Sequence, residues 1–373
     1  MSGNKQIYST ISKNGQLTLE IIDGDIPTPD ENEVVVRMEA APINPSDMFP
    51  MFGTADMGQA KTDNDKLTAP VSEAMLAPIG TRLDQRLPVG NEGSGMVVAT
   101  GNSDMAKALD GKIVGVMANG AAYAQFVKVP ATNCLPHKDS TTALQAASSF
   151  VNPMTALCFL ETMRMEDHKA FIHTAAASNL GQMLVKLCKN ENVPLVNIVR
   201  SDEQSAILQA LDGTHIVDST ASDFFDKLVN AIDATGATLG FDAIGGGKMA
   251  NIILSAMERS LSKNASGLNT YGSTEMKQVY IYGGLDIAPT TLNRGYGMSW
   301  SVGGWLMPYW LVRIGMERMI ELREKVANEI TTTFASAYTA ELSLDEALDT
   351  KMVARYLPKK TGEKYIINPN KGN

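Results

Sequence analysis

The sequence predicts an α/β chain in two parts, an irregular β domain and a doubly wound parallel-sheet domain inserted into it. Three observations carry the prediction. At ~150 residues per domain, 373 residues make two domains rather than one. The first part is a series of short β-rich runs broken by Pro, Gly and Asn, whereas from about residue 152 strands alternate with amphipathic helices. After a long helix the pattern returns to β, which sends the C-terminus back to the first part. The expected division is 1–150 with 329–373, and 151–328.

Taken in order, the β runs are 33–37 (EVVVR), 95–99 (GMVVA), 113–116 (IVGV) and 125–129 (QFVKV). The strands of the inserted part are 170–174, 195–200, 215–218, 238–244 and 278–282. Between the first two of these, Leu180, Met183, Leu184, Leu187 and Cys188 recur at helical spacing and form one apolar face. Phe225, Leu228, Val229 and Ile232 repeat the pattern, as do Met249, Ile252, Ile253 and Met257. Strands separated by such helices must run parallel and be covered on both sides. A helix over 314–327, a strand over 330–335, a short helix over 344–348 and a strand over 364–367 complete the reading.

Composition narrows the function. With 44% hydrophobic and 20% charged residues the chain is globular, and 32 Lys plus Arg against 41 Asp plus Glu leave a net charge of −9. That sign argues against nucleic acid or an anionic membrane as the main partner. Cys134, Cys158 and Cys188 form no C-x-x-C pair, so the expectation is a reduced, cytoplasmic chain without a disulfide framework, and no uninterrupted apolar segment is expected to span a bilayer. On that reading the sequon Asn264-Ala265-Ser266 never meets a glycosylation enzyme.

After strand 170–174 the chain reads Ala175-Ala176-Ala177-Ser178-Asn179-Leu180-Gly181 and opens into the amphipathic helix. A G-x-G-x-x-G fingerprint falls on Ala176, Ser178 and Gly181, with only the last glycine kept. Strand, small-residue turn and helix N-terminus are what a diphosphate needs: free backbone N–H groups, the positive end of the helix dipole and no bulky side chain. The alternative is a turn that merely packs helix on sheet. About 20 residues on, where NAD-binding units place an acid, stand Arg200 and Ser201. A guanidinium there suits a ribose 2′-phosphate, so NADPH is the expected cofactor. The competing reading is a solvated Arg200, with Asp202 or Glu203 serving NAD.

Several stretches in this order resemble the zinc-independent, NADPH:quinone oxidoreductase-like (zeta-crystallin-like) branch of the medium-chain dehydrogenase/reductase superfamily. They are Pro42-Ile43-Asn44-Pro45-Ser46-Asp47, Gly90-Asn91-Glu92-Gly93-Ser94-Gly95, Ala122-Tyr123-Ala124-Gln125-Phe126, Asn152-Pro153-Met154-Thr155-Ala156, the turn above, Phe241-Asp242-Ala243-Ile244-Gly245-Gly246 and Thr361-Gly362-Glu363-Lys364-Tyr365. The resemblance implies a GroES-like β domain, a Rossmann domain, NADPH-dependent reduction and a homodimer. It places Asn44 and Asp47 near the nicotinamide, Asn152 and Thr155 along its approach, Ala176, Ser178, Asn179, Leu180 and Gly181 at the diphosphate, and Gly283 and Gly284 where backbone meets cofactor. For Asn44 and Asp47, simple turn capping is an equal alternative.

Zinc-dependent relatives carry Cys where this chain has Asn44 and His where it has Asn91, so no catalytic metal is expected. Without a metal to polarise a carbonyl, an acceptor already activated by conjugation suits the site: a quinone, an enone or an enoyl thioester. The tyrosine that enoyl-thioester reductases of this branch place after Asn-Pro-Ser-Asp is missing from Met48-Phe49-Pro50-Met51-Phe52-Gly53, and Tyr123 is the nearest motif tyrosine. Quinones need no protein acid, since water can protonate the product. The alternatives are an enoyl-CoA reductase, for which Lys359, Lys360 and Lys364 are the obvious basic cluster, and a low-turnover NADPH-binding sensor. The stretch 54–88 is expected to be a long loop over the substrate mouth. Trp300, Trp305, Met307, Tyr309 and Trp310 are read as core or dimer contact, with a substrate-ring role as the alternative.

Overall fold

The computed structural model describes residues 3–63, 65–263 and 270–372. Asn264, Ala265 and Ser266 therefore lie outside the described residues. The chain folds as two compact units, Met1–Pro153 with Arg323–Asn373, and Met154–Leu322.

The first unit is all β in its framework. Strands β1 (Asn4–Ile11), β2 (Gln16–Gly24), β4 (Lys61–Asp63), β5 (Lys66–Pro70) and β6 (Leu87–Pro88) make one sheet in the order β4-β5-β2-β1-β6. A second sheet runs β10 (Cys134–Pro136), β8 (Ile113–Met117), β7 (Glu92–Thr100), β3 (Glu33–Pro42), β20 (Tyr365–Ile367), β19 (Ala340–Leu342), with β9 (Phe126–Pro130) also paired to β3. The C-terminal strand β20 pairs antiparallel with the end of β3, Ile366 opposite Pro42 and Ile367 opposite Ala41. Alternation places Ile7, Ile11, Leu17, Leu19, Val34, Val36 and Met38 in one core. That core fixes the end of β3, from which the Asn44–Asp47 turn departs.

In the second unit six strands run parallel: β11 (Phe171–His173), β12 (Leu195–Val199), β13 (Ile216–Asp218), β14 (Leu239–Asp242), β16 (Lys277–Ile281) and β18 (Trp300–Gly304). Their order is β13-β12-β11-β14-β16-β18, so in chain order the sheet reads 3-2-1-4-5-6. This is the dinucleotide-binding order, with its reversal between β11 and β14. β15 (Gly245–Gly247) and β17 (Asp286–Thr290) form a small parallel pair beside it. The helix Asn179–Asn190 follows β11 and buries Leu180, Met183, Leu184, Leu187 and Cys188, as its spacing predicts.

Three expectations need correction. The helix expected over 314–327 is present as Met316–Glu329, but a second helix, Met307–Ile314, which was not expected, precedes it across Gly315 at φ +88°. Residues 330–334 form a turn rather than a strand: Val326, Ile330 and Phe334 keep a four-residue spacing and are all buried, so helical periodicity overrides the β propensity of Ile330-Thr331-Thr332-Thr333. The stretch 54–88 is not a free loop. It supplies β4, β5, β6 and the helix Glu73–Leu76, and puts Leu67, Ala69, Val71 and Ile79 into the first unit's core. By length and composition Ala143–Met165 would suffice to cross a membrane, but 78% of that window is buried.

Candidate functional site

The second unit's site lies at the reversal of strand order. Thr174 ties the two central strands together: its Oγ1 donates to Asp242 Oδ1 at 2.8 Å and accepts the amide of Ala243 at 2.8 Å. The same carboxylate accepts the amides of Ile244 at 2.9 Å and Gly245 at 3.2 Å. Burial lifts the Asp242 carboxyl above its ordinary range, and these donors pull the other way. The result is a rigid floor at the carboxyl ends of β11 and β14.

Above it, Ala175 adopts φ +52°, a left-handed conformation unusual for alanine, and turns the chain into the helix. Ser178 is the N-cap, its Oγ accepting the amide of Gly181 at 3.2 Å. A Cβ at Gly181 would stand 1.9 Å from the Ala176 carbonyl oxygen, so only glycine lets helix and turn close on each other. The side chains of Ala176, Ala177 and Leu180 are buried. These positions thus offer a ligand backbone rather than side chain, at a helix end whose first-turn amides lack intrahelical partners. Sequence, turn and helix end fit a diphosphate.

Arg200 directly follows β12 and is exposed, with no ion pair among the described residues; its amide donates to Gln204 Oε1. Ser201 caps the helix Asp202–Gln209 by accepting from the Gln204 amide at 3.3 Å. The Ser201 hydroxyl also holds the Glu203 carboxyl below its usual range. That hydroxyl is therefore engaged, and the guanidinium is the group left to meet an anion.

The first unit holds a second, buried polar cluster. Asn44 caps the 3-10 turn Pro45–Asp47, and both residues are fully buried. Asp47 accepts the amides of Asn44 at 2.8 Å and Asn91 at 2.9 Å, pinning the two motif turns to each other. Burial pushes the Asp47 carboxyl up to about 7, against those two hydrogen bonds and with the repulsion of Glu92. Glu92, also fully buried, accepts Asn44 Nδ2 at 2.9 Å and the amides of Phe150 and Val151 at 2.7 and 3.0 Å. Lys364 donates to Ser148 Oγ at 2.8 Å, and Ser148 shares a 2.9 Å hydrogen bond with the Tyr338 hydroxyl. Burial lowers the Lys364 ammonium to about 8, while Glu92 and Asp47 resist the shift.

No family model matches the sequence. Among solved structures, a Mesorhizobium loti protein assigned as an NADPH:quinone reductase superposes with a TM-score of 0.73, at 25% identity and covering 99% of both chains. Prostaglandin reductase-3 of Mus musculus is 27% identical over 190 residues, 51% of this chain and 43% of that protein. The mitochondrial enoyl-[acyl-carrier-protein] reductase of Xenopus tropicalis is 28% identical over 204 residues, 52% of this chain and 49% of that protein. The chain thus matches less than half the length of either of these curated relatives. These relatives and solved structures are members of the medium-chain dehydrogenase/reductase superfamily, and the chain resembles them. Its two units are the GroES-like and Rossmann parts of the superfamily fold.

The remaining motif positions are mostly held by packing and internal hydrogen bonds. Tyr123 is fully buried and donates to the Pro42 carbonyl at 3.1 Å; burial and the neighbouring Asp47 charge lift its hydroxyl well above the ordinary range. It packs against Gly90, where a Cβ would stand 2.6 Å from its ring, and so secures the turn. Asn152 and Thr155 lie on the helix Val151–Met165, nearly buried, with Thr155 Oγ1 3.8 Å from Met307 Sδ. Gly283 follows β16 where a Cβ would come within 2.5 Å of the Ala243 carbonyl oxygen, while Gly284 faces open space. Trp305 and Trp310 are core residues, the former donating to Thr162 Oγ1, whereas Tyr309 is exposed. Among the described residues no group of three His, Cys, Asp or Glu side chains is placed to hold a metal.

Sequence reasoning did not assign roles to Thr174, Asp242 or Glu92, and placed Lys364 only in a basic cluster with Lys359 and Lys360, whereas its ammonium is held inside by Ser148. All four lie inside or beside motifs it had marked. The missing signal was the buried carboxylate: an acid within a run of small or apolar residues must be paired with donors wherever it is enclosed.

Proposed function

We propose that this chain is an NADPH-dependent, metal-free reductase of conjugated carbonyl compounds, with quinones as the leading substrate class. The observation that carries this reading is the turn Thr174–Ser178 at the strand-order reversal, followed one strand later by the unpaired guanidinium of Arg200. Ser178, Asn179, Leu180 and Gly181 would line the diphosphate at the positive end of the helix, and Arg200 would hold the 2′-phosphate. When bound, the nicotinamide supplies a hydride. The protein's share is orientation and a few hydrogen bonds.

In the first unit Asn44 stands where zinc-dependent relatives place Cys, and a neutral amide there lacks the thiolate, imidazole or carboxylate that zinc requires. An acceptor whose carbonyl is polarised by conjugation suits such a site. The second reading, reduction of 2-enoyl thioesters, is supported by the enoyl reductase relative. A homodimer fits the second unit: β18 is an edge strand, and Ile287, Leu306, Tyr309 and Val312 on neighbouring stretches are exposed.

NADPH oxidation against quinones, enones and enoyl-CoAs separates the readings. Turnover of quinones without turnover of enoyl-CoAs supports the first, and the converse the second. Tight NADPH binding with no acceptor reduced would refute both.

A further inference from the structure

Glu92 raises a question of polarity. One of its oxygens, Oε2, is taken by two backbone amides, those of Phe150 and Val151. The other, Oε1, meets Asn44 Nδ2. An ionised carboxylate only accepts, so it obliges the Asn44 amide to turn its nitrogen inward. The opposite pole, Asn44 Oδ1, is buried and has no hydrogen-bond partner among the described residues. A buried acceptor left open costs stability, and an enclosed polar atom of this kind calls for a reason.

We propose that Glu92 and Lys364 are positioning residues for Asn44: Glu92 fixes which pole of the amide is presented, and Lys364 supplies the positive charge beside Glu92. The open Oδ1 then accepts from an N–H or O–H of a bound ligand. If Glu92 carried a proton, Oε2 would still be held by its two backbone donors, so the proton would sit on Oε1. Asn44 would have to rotate and give it Oδ1, leaving Nδ2 open. The site would then offer a donor in place of an acceptor.

Charge placement agrees with this. Burial raises the Glu92 carboxyl, and the first opposing influence is the charge of Lys364. Lys364 is fixed by Ser148 Oγ and lies 5.6 Å from the centre of the Tyr338 ring. The other titratable groups facing the pair are Asp47, Tyr123 and Tyr338. Asp47 opposes the charge on Glu92, which leaves Lys364 as the cation that sustains it.

The identity of the ligand rests on the reductase reading, but the amide's orientation does not. The test is therefore a nitrogen–proton spectrum of the full chain labelled at asparagine, with the Asn44 side-chain signals identified by their loss in Asn44→Asp. A hydrogen-bonded, slowly exchanging Asn44 amide is expected in the unmodified protein. It should move to a new position in Glu92→Gln. In Lys364→Met the pH at which it moves should rise by about one unit, a tenfold change in proton affinity, and Lys364→Arg should restore it. If Glu92→Gln does not fold, the Lys364 pair alone decides. Unchanged Asn44 signals in folded Glu92→Gln, or an unchanged midpoint in Lys364→Met, would overturn the proposal. In kinetics, Glu92→Gln should lower kcat/KM about tenfold, through NADPH affinity if the donor is on the nucleotide and through the acceptor if it is there. A wild-type chain that oxidises no NADPH would refute the reductase reading and leave the spectrum to judge this one.

Discussion

At the residue scale the site is a set of single atoms in constrained positions. Ala175 holds a left-handed backbone at φ +52°, so Ala175→Gly should stabilise the fold by about 0.5–1 kcal/mol, read as a higher midpoint in denaturant. A lower midpoint would mean that the added chain freedom outweighs the relieved strain. Arg200→Ala should raise KM for NADPH about tenfold or more and leave KM for NADH unchanged, since only the former carries the 2′-phosphate. Equal effects on both would make Arg200 a surface residue. Asp47 predicts a pH dependence. Its folded value, about 7, lies above the unfolded 3.8, so the native state binds the extra proton and stability falls as pH rises between the two. Asp47→Asn should flatten that slope by on the order of 1 kcal/mol per pH unit. An unaltered slope would show that the carboxyl stays ionised throughout. Of these residues, the turn and Arg200 were legible in the sequence because their chemistry is local. The roles of Glu92 and Lys364 were not, because each depends on partners distant along the chain.

At the scale of elements, periodicity was a sound guide wherever one face is buried. The helix Asn179–Asn190 follows its apolar spacing, and Leu184→Ala in that face should cost about 2–5 kcal/mol in denaturant unfolding. The sequence reading faltered where a single residue or a distant partner decides. The helix Met307–Ile314 ahead of Gly315 was missed, and the buried Ile330 and Phe334 keep a turn where β propensity suggested a strand. The segment 54–88 is the larger lesson. Its length read as a loop, yet it carries Arg82, whose buried guanidinium donates to the carbonyls of Phe49 and Pro50 at 2.6 and 2.5 Å and to Ser9 Oγ at 2.7 Å. Those carbonyls belong to the helix Met48–Phe52 that leaves the Asn44–Asp47 turn, so the segment braces that turn. Arg82→Met should cost about 2–3 kcal/mol through the unpaired carbonyls; a neutral result would return the segment to the status of a dispensable loop.

At the scale of the whole molecule, the strand order 3-2-1-4-5-6 and the C-terminal strand β20 in the first unit give the chain its two-unit fold. Alternation of strands with helices made the parallel sheet legible; the order of the strands is a property of the fold, and only the resemblance of the motifs suggested it. The proposed function gathers at the bend after β11. The most direct measurement is a crystal structure of the protein with NADPH bound. The expected result is the diphosphate against the backbone of Ser178–Gly181 and the 2′-phosphate on the Arg200 guanidinium. A nucleotide bound elsewhere, or one whose adenosine end turns away from Arg200, would contradict it.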